Sequence, residues 1–223
     1  MIVAIDGPAG AGKGTITGII AKEFGLVNID TGATYRCVAL ETLRQGLTLE
    51  DKNEIIEISN KIKIDMDENS NIFLNGENVT KEIRSKEVTS IVSPISSIIE
   101  VRLNMVKVQR DLAEGKNVIM EGRDITTYVF PSADIKIYLD GDVNERAARR
   151  YKENQEKGIE MTYEEVLSNI IARDTNDKNK EIGSLKIAPD AVVVDSTNLT
   201  IPETVECVRQ IILEAMQGKS FNK

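Results

Sequence analysis

Ile2-Val3-Ala4-Ile5-Asp6 runs directly into Gly7-Pro8-Ala9-Gly10-Ala11-Gly12-Lys13-Gly14-Thr15, and the reading of these residues sets the reading of the rest. A short β-branched apolar run stops at a turn signal, Asp6-Gly7-Pro8, and a helical pattern extends from Lys13 to Phe24. Gly7, Gly10 and Gly12 let the backbone wrap tightly around an anion. Their N–H groups and the helix N-terminus point at that anion, and Lys13 adds a mobile positive charge suited to the β- and γ-phosphates of a nucleotide. The hydroxyl usual directly after the lysine is displaced by one position: Gly14 intervenes before Thr15.

Outward from this loop the strand–helix alternation continues. Val27–Ile29 is a second apolar run, and Asp30-Thr31-Gly32 opens a helix reaching about Arg44. Asn117–Met120, Ile135–Leu139 and Ala191–Val194 read as further buried strands, which predicts an α/β fold with a central parallel sheet. Ile62–Met66 alternates with period two and Ile72–Leu74 follows a polar turn, predicting a small antiparallel insertion. Ile98–Glu114 is expected to be a helix with Ile99, Leu103 and Val106 on its apolar face. Val205, Val208, Ile212 and Ala215 define the face of a closing helix, about Ile201–Met216. Between them, about Asn144–Lys157 and Thr162–Thr175 form two charge-rich helices with few apolar residues, the composition of a weakly packed, mobile flap.

Composition narrows the partners. The chain has 223 residues, 41% of them apolar, enough for a sizeable core. Its net charge of −8 argues against a general nucleic-acid or membrane-surface binder, so an anionic ligand must meet a local cluster of Lys and Arg. With no His, no mechanism runs through a histidine base or ligand. Cys37 and Cys207 are expected to be reduced thiols on helices. Met1–Ile5 has the marks of neither a signal peptide nor an anchor, so the expected location is cytoplasmic, with no membrane and no nucleic-acid partner.

A second substrate must be read elsewhere, and three segments offer it. Asp30-Thr31-Gly32-Ala33-Thr34-Tyr35-Arg36 lies at a strand's carboxyl end, where ligands of open α/β sheets collect. Arg36 suits bidentate contact with a phosphate. Glu121-Gly122-Arg123-Asp124 concentrates charge at another strand end: Arg123 for a phosphate, Glu121 for magnesium through water, Asp124 for an exocyclic amine. Arg173-Asp174-Thr175-Asn176-Asp177-Lys178-Asn179-Lys180 interleaves cations with carboxylates.

Together these segments, with the Arg146, Arg149 and Arg150 cluster, resemble the bacterial-type cytidylate kinases over nearly the whole chain. The resemblance implies a single P-loop kinase domain over 1–223: a three-layer fold with a monophosphate-binding region at 31–114, an antiparallel insertion at about 55–90, and a helical lid at 143–180. It implies that Gly7, Pro8, Ala9, Gly10, Ala11, Gly12, Lys13, Gly14 and Thr15 hold ATP. Thr31, Tyr35, Arg36, Ser93, Arg102, Arg123, Asp124, Arg173, Asp177 and Lys180 would hold CMP or dCMP. Lys13, Arg36, Arg123, Arg146, Arg149 and Arg150 would serve catalysis. The implied cofactor is Mg2+ with ATP, reached through water by Thr15 and Glu121, and the implied state is a monomer. The sequence departs from the family's pattern at Lys180, where Arg is usual, at Asn176 and Thr126, and at Ser184-Leu185. Three rivals share the loop: a kinase for another monophosphate, a nucleotide-binding regulator without turnover, and an RNA-binding P-loop protein. The acidic charge and the count of five Tyr, four Phe and no Trp speak against the last.

Overall fold

The computed structural model describes residues 1–156 and 158–218. Lys157, where the sequence reading ends the first charged helix, lies outside them. In chain order the elements begin with β1 (Ile2–Asp6), α1 (Lys13–Phe24), β2 (Val27–Asp30), α2 (Thr31–Arg44) and α3 (Lys52–Lys61). Three short strands follow, β3 (Ile64–Met66), β4 (Ile72–Leu74) and β5 (Glu77–Asn78), then α4 (Lys86–Ile95) and α5 (Ile99–Ala113). The chain goes on through β6 (Val118–Gly122), β7 (Ile135–Asp140), α6 (Val143–Glu156), α7 (Tyr163–Lys178), β8 (Val192–Asp195) and α8 (Ile201–Met216).

The larger sheet carries its strands in the order β2-β6-β1-β7-β8. β7 pairs in parallel with β1, from Val3 opposite Ile135 to Asp6 opposite Tyr138, and in parallel with β8, from Ile137 opposite Val192 to Asp140 opposite Asp195. The α/β class and parallel sheet expected from the alternation are therefore present. Strand order reverses around β1, and the loop leaving β1 is the glycine-rich one; open α/β sheets gather ligands at such a point.

Two compact units divide the chain. The first holds Met1–Leu26 and the described residues from Ile119 onward. Its core joins Val3 and Ile5 of β1, Ile16 and Ile20 of α1, Ile137 and Leu139 of β7, and Val205, Val208 and Ile212 of α8. Burying side chains of this size contributes roughly 1.5–3 kcal/mol each. α8 starts on a capping box, Thr200 with Glu203, and presents the apolar face read from its spacing, with Ala215 partly buried. α6 and α7 differ from expectation. They are not loosely attached: Ala147, Val166 and Ile170 are buried in one cluster with Ala9, and Val143, Tyr151, Met161, Tyr163 and Leu167 pack around it. A capping box of Thr162 and Glu165 fixes the start of α7.

The second unit spans Val27–Val118. Asp30 caps α2 by accepting from the Ala33 N–H at 3.1 Å. The antiparallel insertion is present and larger than the predicted hairpin. β3 pairs with β4, and a turn at Asn75-Gly76, both at positive φ, brings back β5 as a third strand. On α5 the apolar face departs from the reading in part. Val106 is buried as expected, but Leu103 is 45% exposed, and Val101, Met105 and Leu112 are buried together with polar Arg102 and Gln109. Gln109 donates to the Thr34 hydroxyl at 3.0 Å, so a satisfied amide takes a place that spacing alone gives to an apolar residue.

Cys37 and Cys207 are free thiols, on α2 and α8; burial pushes the Cys37 thiol up to about 12. Among the described residues no helix is long and apolar enough to cross a membrane.

Candidate active site

Elementary sterics explain the glycines of the loop. A Cβ on Gly7 would lie 2.1 Å from the Leu139 carbonyl oxygen, so no side chain fits between β1 and β7 there. Gly10 and Gly12 have φ of 76° and 86°, the left-handed values that curl successive N–H groups inward ahead of α1. A Cβ on Gly14 would lie 2.8 Å from a carboxylate oxygen of Glu121, which accounts for the glycine interposed between Lys13 and Thr15.

Lys13 is buried, and its ammonium donates to the carbonyls of Gly7 at 2.7 Å and Pro8 at 2.8 Å. Burial, reinforced by the nearby Arg123 guanidinium, pushes its pKa down to about 7, against the opposing pull of Glu121, Asp6 and Asp177. Arg123 itself donates to Asp177 at 2.9 Å and to the Gly122 carbonyl at 3.2 Å. Burial works against its charge, but Asp177, with Glu121 and Asp174, outweighs that and holds it above the ordinary guanidinium value. Burial would lift Asp177, yet Arg123, Lys180 and Arg173 keep it below the usual carboxylate range. Lys180 meets its other oxygen at 2.8 Å.

Asp124, buried at the end of this segment, leads into a single wide helical turn, Ile125–Val129. That turn is held by Asp6, the last residue of β1. Its carboxylate accepts from the N–H groups of Ile125 and Thr126, each at 2.8 Å, and from the Thr126 hydroxyl at 2.6 Å. Thr126, one of the departures from the family's pattern, thus supplies a third donor to a fully buried acid. Burial still raises the Asp6 pKa despite those donors.

The three arginines of α6 do not converge. Arg146 is buried, donating to the carbonyls of Gly141 at 2.8 Å and Ala9 at 2.6 Å and to Asp174 at 2.7 Å. Arg149 donates to the Ser196 hydroxyl at 3.1 Å and to the Ser196 carbonyl ahead of α8. Arg150 pairs with Glu153 at 2.9 Å and is 39% exposed.

Within the second unit, Arg36 donates to the Ile83 carbonyl at 3.1 Å and the Thr89 hydroxyl at 2.9 Å. The Arg102 guanidinium lies 5.4 Å from the centre of the Tyr35 ring and donates to the Ser96 carbonyl at 3.0 Å. The Ser93 carbonyl, in the last turns of α4, accepts from the Ser96 and Ser97 hydroxyls. The Thr31 carbonyl accepts from Thr34.

The predicted acceptor set therefore divides by unit: Thr31, Tyr35, Arg36, Ser93 and Arg102 in the second, Arg123, Asp124, Arg173, Asp177 and Lys180 in the first. Sequence reasoning passed over Asp6, Asp174 and Arg84, the last 3.2 Å from Asp30. Asp6 was findable as an acid ending an otherwise apolar strand. Asp174 was not, because an acid inside a charged run reads as solvated surface.

Comparison with known proteins agrees with this geometry. The family model described as "Cytidylate kinase" matches residues 3–214. A protein named cytidylate kinase from Caldicellulosiruptor bescii is 43% identical over 220 residues, covering 97% of each chain. One from Caldanaerobacter subterraneus subsp. tengcongensis is 46% identical over 217 residues, covering 97% of this chain and 96% of its own. One from Clostridioides difficile is 46% identical over 206 residues, covering 92% of this chain and 95% of its own. A match of that extent, on a chain that builds a phosphate loop at the centre of a parallel sheet, makes this protein a member of the cytidylate kinase family.

Proposed function

We propose that this chain transfers the γ-phosphoryl group of ATP to CMP and dCMP, giving ADP with CDP or dCDP. The observation that carries the reading is the glycine loop at the centre of the parallel sheet, with Lys13 buried in it and the part-buried Arg123 near enough to lower its proton affinity; cations so placed favour an anion. Gly7, Pro8, Ala9, Gly10, Ala11, Gly12, Lys13, Gly14 and Thr15 hold the ATP phosphates.

Phosphoryl transfer asks for positioning and charge neutralisation rather than covalent help from the protein. A phosphate oxygen of CMP attacks the γ-phosphorus, the new O–P bond forms, and the bond to the β-phosphate oxygen breaks. That oxygen is already anionic near neutral pH, so the absence of His costs nothing. Arg36 and Arg123 orient the acceptor phosphate. Arg146 offsets the charge of the transferring group from a fixed place beside Ala9, and Arg149 and Arg150 join it only by leaving Ser196 and Glu153 as the lid closes. Residues 143–180 act as the lid that excludes water, and 31–114 as the monophosphate-binding region.

Cytosine recognition rests on complementarity. Asp124 accepts from the exocyclic amine where uracil would present a carbonyl. Arg102 and Ser93 serve the acceptor edge of the ring, Tyr35 packs beside the base, and Thr31, Arg173, Asp177 and Lys180 serve the sugar and phosphate. Mg2+ suits the donor types present: Glu121 brings an acidic oxygen against Gly14 in the first turn of α1, and Thr15, the next residue, carries a hydroxyl, an oxygen-only set that would hold the ion through water. Bound with ATP, the ion neutralises phosphate charge. An ADP-release assay with MgATP and CMP, dCMP, UMP, AMP and GMP tests the reading. Turnover confined to the cytidylates is expected, and preference for any other acceptor would overturn the cytosine assignment.

A further inference from the structure

One residue of the phosphate loop, Ala9, has both its backbone N–H and its carbonyl bonded by the charged helices. The Ala9 N–H donates to Asp174 Oδ1 at 2.9 Å. The Ala9 carbonyl accepts from Arg146 Nη1 at 2.6 Å, and that same nitrogen donates to Asp174 Oδ2 at 2.7 Å. The three bonds close a ring through Ala9, the carboxylate and the guanidinium. Both side chains are at least nine-tenths buried. The apolar contacts agree, because Ala9 shares its cluster with Ala147, Val166 and Ile170. A Cβ on Gly10 would lie 3.1 Å from the Arg146 carbonyl oxygen and 3.3 Å from Ile170 Cδ1, so α6 and α7 sit directly on the loop's tip.

We propose that Asp174 is a positioning residue for the reaction: with Arg146 it fixes the two peptides that flank Ala9, Asp174 holding the N–H of one and Arg146 the carbonyl of the next, and registers the α6–α7 pair to the nucleotide loop. The inference rests on the assignment of residues 7–15 to ATP. A buried carboxylate and guanidinium are costly to desolvate, and the mutual pair with two backbone bonds is what makes their burial tolerable. What the arrangement supplies is preorganisation. Ala9 precedes the left-handed Gly10 and Gly12, so the planes of its two peptides set the direction in which the following N–H groups face a phosphate. ATP binding and the packing of α6 on α7 are therefore linked: whatever steadies one steadies the other.

Steady-state rates, calorimetric Kd values and amide hydrogen exchange on the whole chain test this, comparing the parent with Asp174→Asn, Asp174→Ala and Lys13→Ala. Asp174→Asn keeps an oxygen for Ala9 but loses the charge facing Arg146. It should raise the KM for ATP about tenfold while kcat and the KM for CMP stay within about twofold. ATP should increase protection of α6 and α7 amides in the parent but not in Asp174→Ala. A merely structural role would lower the thermal midpoint without splitting the two KM values. Should Asp174→Ala not fold, Asp174→Asn carries both measurements. An ATP KM within twofold of the parent, or unchanged ATP-dependent protection, would overturn the clasp while Lys13→Ala still loses ATP binding. Retained ATP binding by Lys13→Ala would overturn the ATP assignment and the clasp with it.

Discussion

At single residues the proposed selectivity and the buried charge can each be tested. On the proposed reading of Asp124 as the acceptor for the base amine, Asp124→Asn puts a donor in place of one acceptor oxygen and should cut kcat/KM for CMP relative to UMP by about 10²-fold or more; an unchanged ratio in the substrate panel would remove Asp124 from base reading. Thr126→Val deletes one of three donors to the fully buried Asp6. The loss should be about 1–3 kcal/mol by urea unfolding, the range for leaving a buried polar group short of a partner, with Thr126→Ser close to the parent. The Thr126 donors lower the Asp6 pKa against the opposing effect of burial, so losing one raises it further, and the deficit is largest with Asp6 ionised and shrinks as acid protonates it. Residue identities in the loop and in Glu121–Asp124 were legible because each has a chemical reason to stand where it does. The partnership of Asp6 with Thr126 was not: it spans 120 positions, and no local pattern announces a contact of that length.

Elements were legible where local signals stop and start them. α1 ends on Gly25 in the left-handed conformation, α8 begins on its capping box, and α2 is capped by Asp30, all visible as sequence. α4 escaped because it contains Pro94 and β-branched residues, and its stability comes from packing against α2 rather than from propensity. β5 was readable from Asn75-Gly76, a strong hairpin pair, but two residues make a weak strand signal. The docking of α6 and α7 on the loop invites a comparison of two glycines. Gly10 and Gly12 share left-handed φ, but only Gly10 has neighbours within reach of a Cβ. Gly10→Ala should therefore be less stable than Gly12→Ala by about 1–3 kcal/mol, the usual cost of overpacking. Equal thermal midpoints would mean that α6 and α7 give way freely.

On the scale of the molecule, an acidic chain sets Lys13, Arg123, Arg146 and Lys180 among carbonyls and carboxylates of the unit that holds its glycine loop, a placement that composition alone does not give. The strand order was not legible, since alternation predicts a parallel sheet but not which strand lies beside which. The depressed pKa of Lys13, about 7, has a consequence for the solvent. Near neutrality this ammonium is about half deprotonated, and a triphosphate stabilises its charged form, so loading the nucleotide should draw about half a proton from buffer at pH 7. Uptake should approach one proton by about pH 8, and affinity for ATP should weaken as pH rises through this range. Binding enthalpies in two buffers of different ionisation enthalpy would expose the exchange; identical enthalpies would show that Lys13 is fully charged before ATP arrives. The enzyme would then respond to alkalinity as well as to nucleotide supply, through a lysine that its fold keeps from water.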